Sequence, residues 1–178
     1  RPNLCNSANV AYRRSAYECW GRDLPTTPAA DEMLIQRVAA SREEVAFCAD
    51  PAAAVRTEPM STPGAFWQQR RRWAHAGGQY PDLALQVFVI VAYVFYALLL
   101  GGVALLPVWP TLFPAVGGAL ALKVAGEGAL LTLACRRLRQ SKLMRYFLPA
   151  QVMQIPYVVA VGAAGQFGKL RWKGRRVR

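Results

Sequence analysis

The chain has 178 residues, 54% of them hydrophobic, and a formal net charge of +12, and neither property is spread evenly. Residues 1–58 hold seven Lys/Arg against eight acids, whereas residues 59–178 hold fifteen against two, Asp82 and Glu127. The basic residues of the second part flank long apolar runs and not a polar groove, which excludes nucleic acid as the partner and favours anionic membrane lipids. Four cysteines (Cys5, Cys19, Cys48, Cys135) form no C-x-x-C pair and have no His cluster beside them, so a zinc site or a disulfide framework is not expected and reduced thiols are. The chain opens at Arg1 inside a patterned segment with no signal peptide, and it reads as a piece of a longer protein.

In chain order, Asn6-Ser7-Ala8-Asn9 is turn chemistry. Val10–Tyr12 reads as a short strand, and Arg14–Trp20 as a short helix ended by Gly21. Residues 23–30 form a loop. Asp31 opens a helix whose apolar positions are Met33, Leu34, Ile35, Val38 and Ala39, with Asp31 and Glu32 at its positive end. Val45–Cys48 and Ala53–Thr57 read as two short strands joined through Asp50-Pro51.

The proline-rich connection that follows runs into Thr62-Pro63-Gly64-Ala65-Phe66-Trp67-Gln68-Gln69-Arg70-Arg71-Arg72-Trp73. Thr62 suits an N-cap, Pro63 the first helical position, and Gly77-Gly78 an end. On that helix Gln69, Arg72 and Trp73 stand at i, i+3 and i+4, on one face. An amide, a guanidinium fork and an indole together suit a phosphate beside a sugar. The plainer reading is a basic helix lying on anionic headgroups, with Phe66 and Trp67 as anchors, Arg70 and Arg71 toward lipid phosphates, and His75 facing solvent or headgroups.

Leu83 to Leu106 is 24 residues without a charge, enough to cross a hydrocarbon layer. Pro107-Val108-Trp109-Pro110 is a turn with an interfacial Trp. Residues 111–135 form a second span, holding Lys123 and Glu127 at i and i+4. These two pair inside the bilayer, or else serve a passing glycan or a headgroup. A basic loop, Arg136–Arg145, precedes a third apolar stretch, 147–168, rich in Pro, Gly and Gln, and a basic tail ends the chain. A full third crossing would put the tail opposite the loop, against the positive-inside rule. A re-entrant stretch with non-helical backbone keeps both on the cytoplasmic side, and the Pro and Gly content favours it.

Taken in order, the segments resemble the C-terminal part of membrane-bound family 2 glycosyltransferases, the class of cellulose and hyaluronan synthases. Asn6–Arg14 is similar to the family's G-A-N-x-A-[FY]-R-[RK] stretch, and Ala30–Leu34 to its [ED]-D-x-x-L motif. Thr57–Thr62 followed by Gln69–Trp73 is similar to T-E-x-P-x-T … Q-x-x-R-W, and Trp172–Arg175 to its W-[KR]-G-R tail. The resemblance implies an α/β fold. Residues 1–61 would be the acceptor-side part of a GT-A catalytic domain, 62–78 an interfacial helix, and 79–178 a membrane region of two to three spans. It implies a multi-pass protein of the inner cell membrane with its catalytic part in the cytoplasm. The reaction implied is inverting transfer from a nucleotide diphosphate sugar to a lipid-linked or glycan acceptor. Asp31 would be the general base, Gln69 and Arg72 would bind the donor diphosphate, Trp73 would stack on the acceptor sugar, and Asn9 would be a further substrate contact. A divalent metal, Mg or Mn, is implied with ligands outside this chain, in a donor-binding half before Arg1 that carries a D-x-D motif. Ala30 departs from the pattern, standing where many relatives carry a second acid. The competing readings are a non-enzymatic membrane scaffold with relic motifs and a transporter built on Lys123 and Glu127.

Overall fold

Arg14–Trp20 (α1) is fixed by local chemistry. Arg14 Nε donates to Glu18 Oε1 at 2.8 Å across one exposed turn, and the Gly21 N–H closes the helix on Tyr17 O. The computed structural model describes residues 5, 7–25, 30–41, 43–48, 50–167, 170–172 and 175–177. The turn at Asn6, the loop over 26–29 and the Lys173-Gly174 part of the tail motif lie outside the described residues.

Five more α-helices follow among the described residues: α2 (Ala30–Ala40), α3 (Pro63–Gly77), α4 (Leu83–Leu105), α5 (Phe113–Arg137) and α6 (Phe147–Gln166). Up to Gln166 the regular structure of the described residues is helical, there is no α/β domain, and the α/β expectation is wrong. Val10–Tyr12 and residues 45–48 carry no strand, and Pro51–Ala53 is a 3-10 turn closed by Asp50, whose Oδ1 accepts from Ala52 N at 2.8 Å. The physical reason is that two short strands need a third strand or a helix to cover an apolar face. Here Phe47 is 84% exposed and Val55 54%, so there is no such face to bury. The only ladder among the described residues joins two three-residue segments of the tail, Leu170–Trp172 and Arg175–Val177, and a two-stranded ribbon does not make an α/β domain.

The chain divides into two compact units. The first comprises Arg1–Cys48, Ala54–Val89 and Val161–Arg178, and the second Ala49–Ala53 and Ile90–Ala160. In the first, Met33 of α2, Ala76 of α3, Tyr80 and Leu85 form the core, with Leu24 packed against it. Asp82 starts α4 there: its Oδ1 accepts from Leu85 N at 3.2 Å, and its own N–H reaches the buried Gln36 Oε1 at 3.4 Å. An aspartate capping side chain of this kind contributes about 1 kcal/mol.

In the second unit α4 and α5 approach closely at Gly102, where an added Cβ would meet Val116 Cγ2 at 2.8 Å. Three helices of the chain are long and apolar enough to cross a membrane, and their large apolar side chains are mostly exposed, as lipid-facing surfaces are. The protein is a membrane protein. The third apolar stretch is helical over Phe147–Gln166, which corrects the expectation of broken backbone at membrane depth. Pro149 falls in the first turn, where no amide donor is needed, and Pro156 removes only the bond to the Val152 carbonyl.

α5 ends in a Schellman motif. Gln140 N bonds Cys135 O at 2.7 Å, Arg139 N bonds Arg136 O at 3.2 Å, and Arg139 takes φ 53°. Glycine is the usual residue at such a position, and a Cβ there costs roughly 1–2 kcal/mol. The favourable contact of the Arg139 cation with the helix end is worth about 0.3–1 kcal/mol. The strain is the larger of the two, so Arg139→Gly is expected to raise the thermal unfolding temperature in detergent. A lower unfolding temperature would mean that the charge outweighs the strain.

Candidate functional site on the third helix

The helix carrying the basic run begins where its end chemistry dictates. Thr62 Oγ1 accepts from Ala65 N at 3.1 Å, Pro63 occupies the first turn, and Gly78 caps the other end. Its side chains then sort into three stripes by helical spacing.

Phe66, Arg70 and Trp73 form the first. The Arg70 guanidinium lies 4.8 Å from the Phe66 ring centre and 4.4 Å from that of Trp73, and its buried Nε has no hydrogen-bond partner among the described residues. Arg70 is therefore held by aromatic faces, an attraction of roughly 0.5–2 kcal/mol for each ring.

Arg71 and His75 form the second stripe, and they face the end of α6. Arg71 Nε donates to Ala164 O at 3.0 Å, and His75 Nδ1 pairs with Gly165 O at 3.1 Å. Because that carbonyl only accepts, the His75 proton sits on Nδ1. Nε2 is left to accept from the Gln79 amide at 3.1 Å. Gln166 Nε2 completes the seam on Ala74 O at 3.2 Å. Gly165 permits this approach, since a Cβ there would stand 2.6 Å from the Ala74 Cβ. The seam corrects two expectations: Arg71 does not face lipid phosphates, and His75 does not face solvent.

Gln69, Arg72 and Ala76 form the third stripe. Ala76 is buried in the core cluster that also holds Met33 of α2, Tyr80 and Leu85, so this stripe leads into that shared core. Gln69 and Arg72 are half-buried and make no hydrogen bond or ion pair among the described residues. Trp73 borders the stripe and is 52% exposed, with one ring face covered by Arg70. Asp31 stands in the first turn of α2, two residues before Met33, half-buried. The structure thus brings α2 and the Gln69–Arg72 stripe into one unit around one core, but no hydrogen bond or ion pair links Asp31 to Gln69 or Arg72 among the described residues. Asn9 ends the 3-10 turn Ser7–Asn9 and is exposed.

The surroundings of Asp31 were only partly legible in advance. Glu32, Cys5 and Tyr80 gather beside it. Burial raises the Glu32 carboxyl above its usual range, and the neighbouring Asp31 adds to the rise. Burial pushes the Cys5 thiol up to about 11, with help from Glu32 and then Asp31. Tyr80 is raised by burial first, then by Glu32 and Cys5. Asp31 therefore does have a carboxylate neighbour, on the side opposite Ala30.

No group of three His, Cys, Asp or Glu side chains among the described residues is arranged to hold a metal. The divalent ion that the resemblance implies would take its ligands from outside this chain.

In the second unit Lys123 and Glu127 pair at 3.1 Å, with the Lys123 side chain 3% exposed. Lys123 Nζ also donates to Gln151 Oε1 and, at 3.0 Å, to Gln154 Oε1, while Gln151 Nε2 and Tyr96 OH donate to Glu127 at 2.9 and 2.7 Å. All three ammonium donors are used, so the cluster is a closed tie among α4, α5 and α6 with no open coordination for cargo. Comparison with family models, curated proteins and solved structures finds no match to this chain.

Two measurements check this geometry. Cys5 should be alkylated at pH 8 at least about tenfold more slowly than the exposed Cys19 and Cys48, its rate climbing toward pH 11 as thiolate forms; equal rates would place Cys5 away from the two acids. Lys123→Met alone strands Glu127 and should cost about 2 kcal/mol in detergent unfolding, while pairing it with Glu127→Met should cost less than the two single losses together. Simple additivity would show that the tie is not coupled.

Proposed function

We propose that the protein is a membrane-bound inverting glycosyltransferase, moving a sugar from a nucleotide diphosphate sugar to a lipid-linked or polysaccharide acceptor. The observation that supports it best is the core that α2 and α3 share, in which Met33 and Ala76 belong to one buried cluster. The Gln69–Arg72 stripe runs on the face of α3 that Ala76 buries there, and Asp31 stands in the first turn of the other helix. A carboxylate, a guanidinium with no hydrogen bond among the described residues and a half-exposed indole share one unit at the border of the apolar helices.

In this reading Asp31 takes the proton from the acceptor hydroxyl as its oxygen attacks the anomeric carbon. The carbon–oxygen bond to the diphosphate breaks on the opposite face, and its electron pair leaves with the diphosphate. Arg72 and Gln69 receive the charge that develops there, and one displacement inverts the configuration. Trp73 offers the acceptor sugar the ring face that Arg70 leaves open. In this reading the basic segment Arg136–Arg145 faces the cytoplasm, as the positive-inside rule favours.

The test uses the natural full-length protein in its own membranes, with labelled nucleotide diphosphate sugars. Asp31→Asn is expected to lower transfer by about 10²–10⁴-fold with insertion unchanged. Arg72→Lys, which keeps the charge but loses the fork, should fall about 10²-fold. Wild-type turnover by Asp31→Asn would end the base assignment, whereas no transfer by the unaltered protein with any donor would return the chain to a membrane scaffold.

A further inference from the structure

We infer that the chain enters and leaves the bilayer on one face, with α4 and α5 crossing and α6 a re-entrant helix, so that all of its flanking basic segments meet the anionic lipid of a single leaflet. This inference is independent of the glycosyl-transfer reading.

The first support lies within the unit that holds α3. A Cβ on Gly77, at the end of α3, would lie 3.7 Å from Val89 in the second turn of α4. A Cβ on Gly78 would lie 3.4 Å from the Gln166 side chain, at the very end of α6. Arg71, Ala74 and His75 are bonded directly to residues 164–166. The start of the first apolar helix and the end of the third therefore share one neighbour. A helix that crossed would finish about 30 Å from the face at which it began, whereas these contacts are hydrogen bonds of 3.0–3.2 Å. An even number of crossings between Leu83 and Gln166 satisfies both facts.

The second support lies within the other unit. Phe147 opens α6 not at the end of α5 but against Gly128, where a Cβ would be 3.2 Å from the ring. Gly128 is nine residues before Arg137, so the chain has turned back roughly 13 Å along α5 before α6 begins. The segment between them, Ser141–Tyr146, is a 3-10 helix packed on α5. Gln151 and Gln154, costly on a lipid-facing helix, are bonded to Lys123 and Glu127.

Charge gives the third. The connector between α4 and α5, Leu106–Leu112, carries no charge, whereas Arg136–Arg145 holds five Lys/Arg and the 169–178 tail holds six. With α6 re-entrant, all eleven fall on one leaflet and none on the other, the distribution that anionic headgroups and the positive-inside rule favour. A full crossing would divide them between opposite faces.

Sidedness in sealed membrane vesicles decides it. With the four native cysteines replaced by Ser, single reporters at Ser61→Cys, Thr111→Cys and Ser141→Cys are labelled with an impermeant maleimide before and after permeabilisation. A C-terminal epitope on the otherwise unaltered chain is tested by external protease. The expected result is Thr111→Cys on one face, with Ser61→Cys, Ser141→Cys and the epitope on the other. An epitope on the Thr111→Cys side overturns the inference, and so does labelling of Thr111→Cys and Ser61→Cys from the same face. The epitope arm needs no substitution, so poor folding of a cysteine variant cannot decide the outcome.

Discussion

A helix that ends within an apolar layer leaves carbonyls without partners, and the first unit is built around the answer to that problem. The last turn of α6 presents Ala164 O and Gly165 O to α3. Unpaired, each would cost about 1–3 kcal/mol. The basic helix α3 supplies donors of fixed direction, Arg71 Nε and His75 Nδ1, and Gly165 lets the backbones close to the range where those bonds form. Charge that looks like headgroup chemistry in the sequence is here partly consumed in finishing another helix.

The second unit meets a related demand by different means. Lys123 lies in an apolar helix where a charge is expensive, and four side chains share its neutralisation: one acid, two amides and the ring of Tyr96 at 5.3 Å. Such a tie contributes more to specifying one arrangement of three helices than to net stability, because the desolvation of each ion offsets most of its attraction. The remaining contacts are small-residue approaches, Gly102 on Val116 and Gly128 on Phe147, where dispersion alone holds lipid-bathed helices together.

What could be read in advance was local. Thr62, Pro63 and Gly78 mark the ends of α3 through bonds spanning three residues, and the uncharged run from Leu83 announces α4 by length alone. The strands failed because a strand is a statement about a distant partner, and Val45–Cys48 has none. The glutamines at 151 and 154 weakened the third apolar stretch as a membrane segment, yet they are the partners of Lys123 and Glu127. Their i, i+3 spacing was the available signal. Glu32 beside Asp31 is plain in the sequence, while the approach of Cys5 and Tyr80 to that pair depends on tertiary packing and left no local trace.

The three consecutive arginines of α3 do three different things. Arg70 is held between aromatic rings, Arg71 is bonded to a carbonyl, and only Arg72 makes no side-chain hydrogen bond, ion pair or ring contact among the described residues. Neither a ring face nor a carbonyl neutralises a guanidinium, so all three charges would attract an anion, and salt would weaken that attraction by screening. Directional bonding is a separate matter, because only Arg72 has its whole guanidinium fork uncommitted.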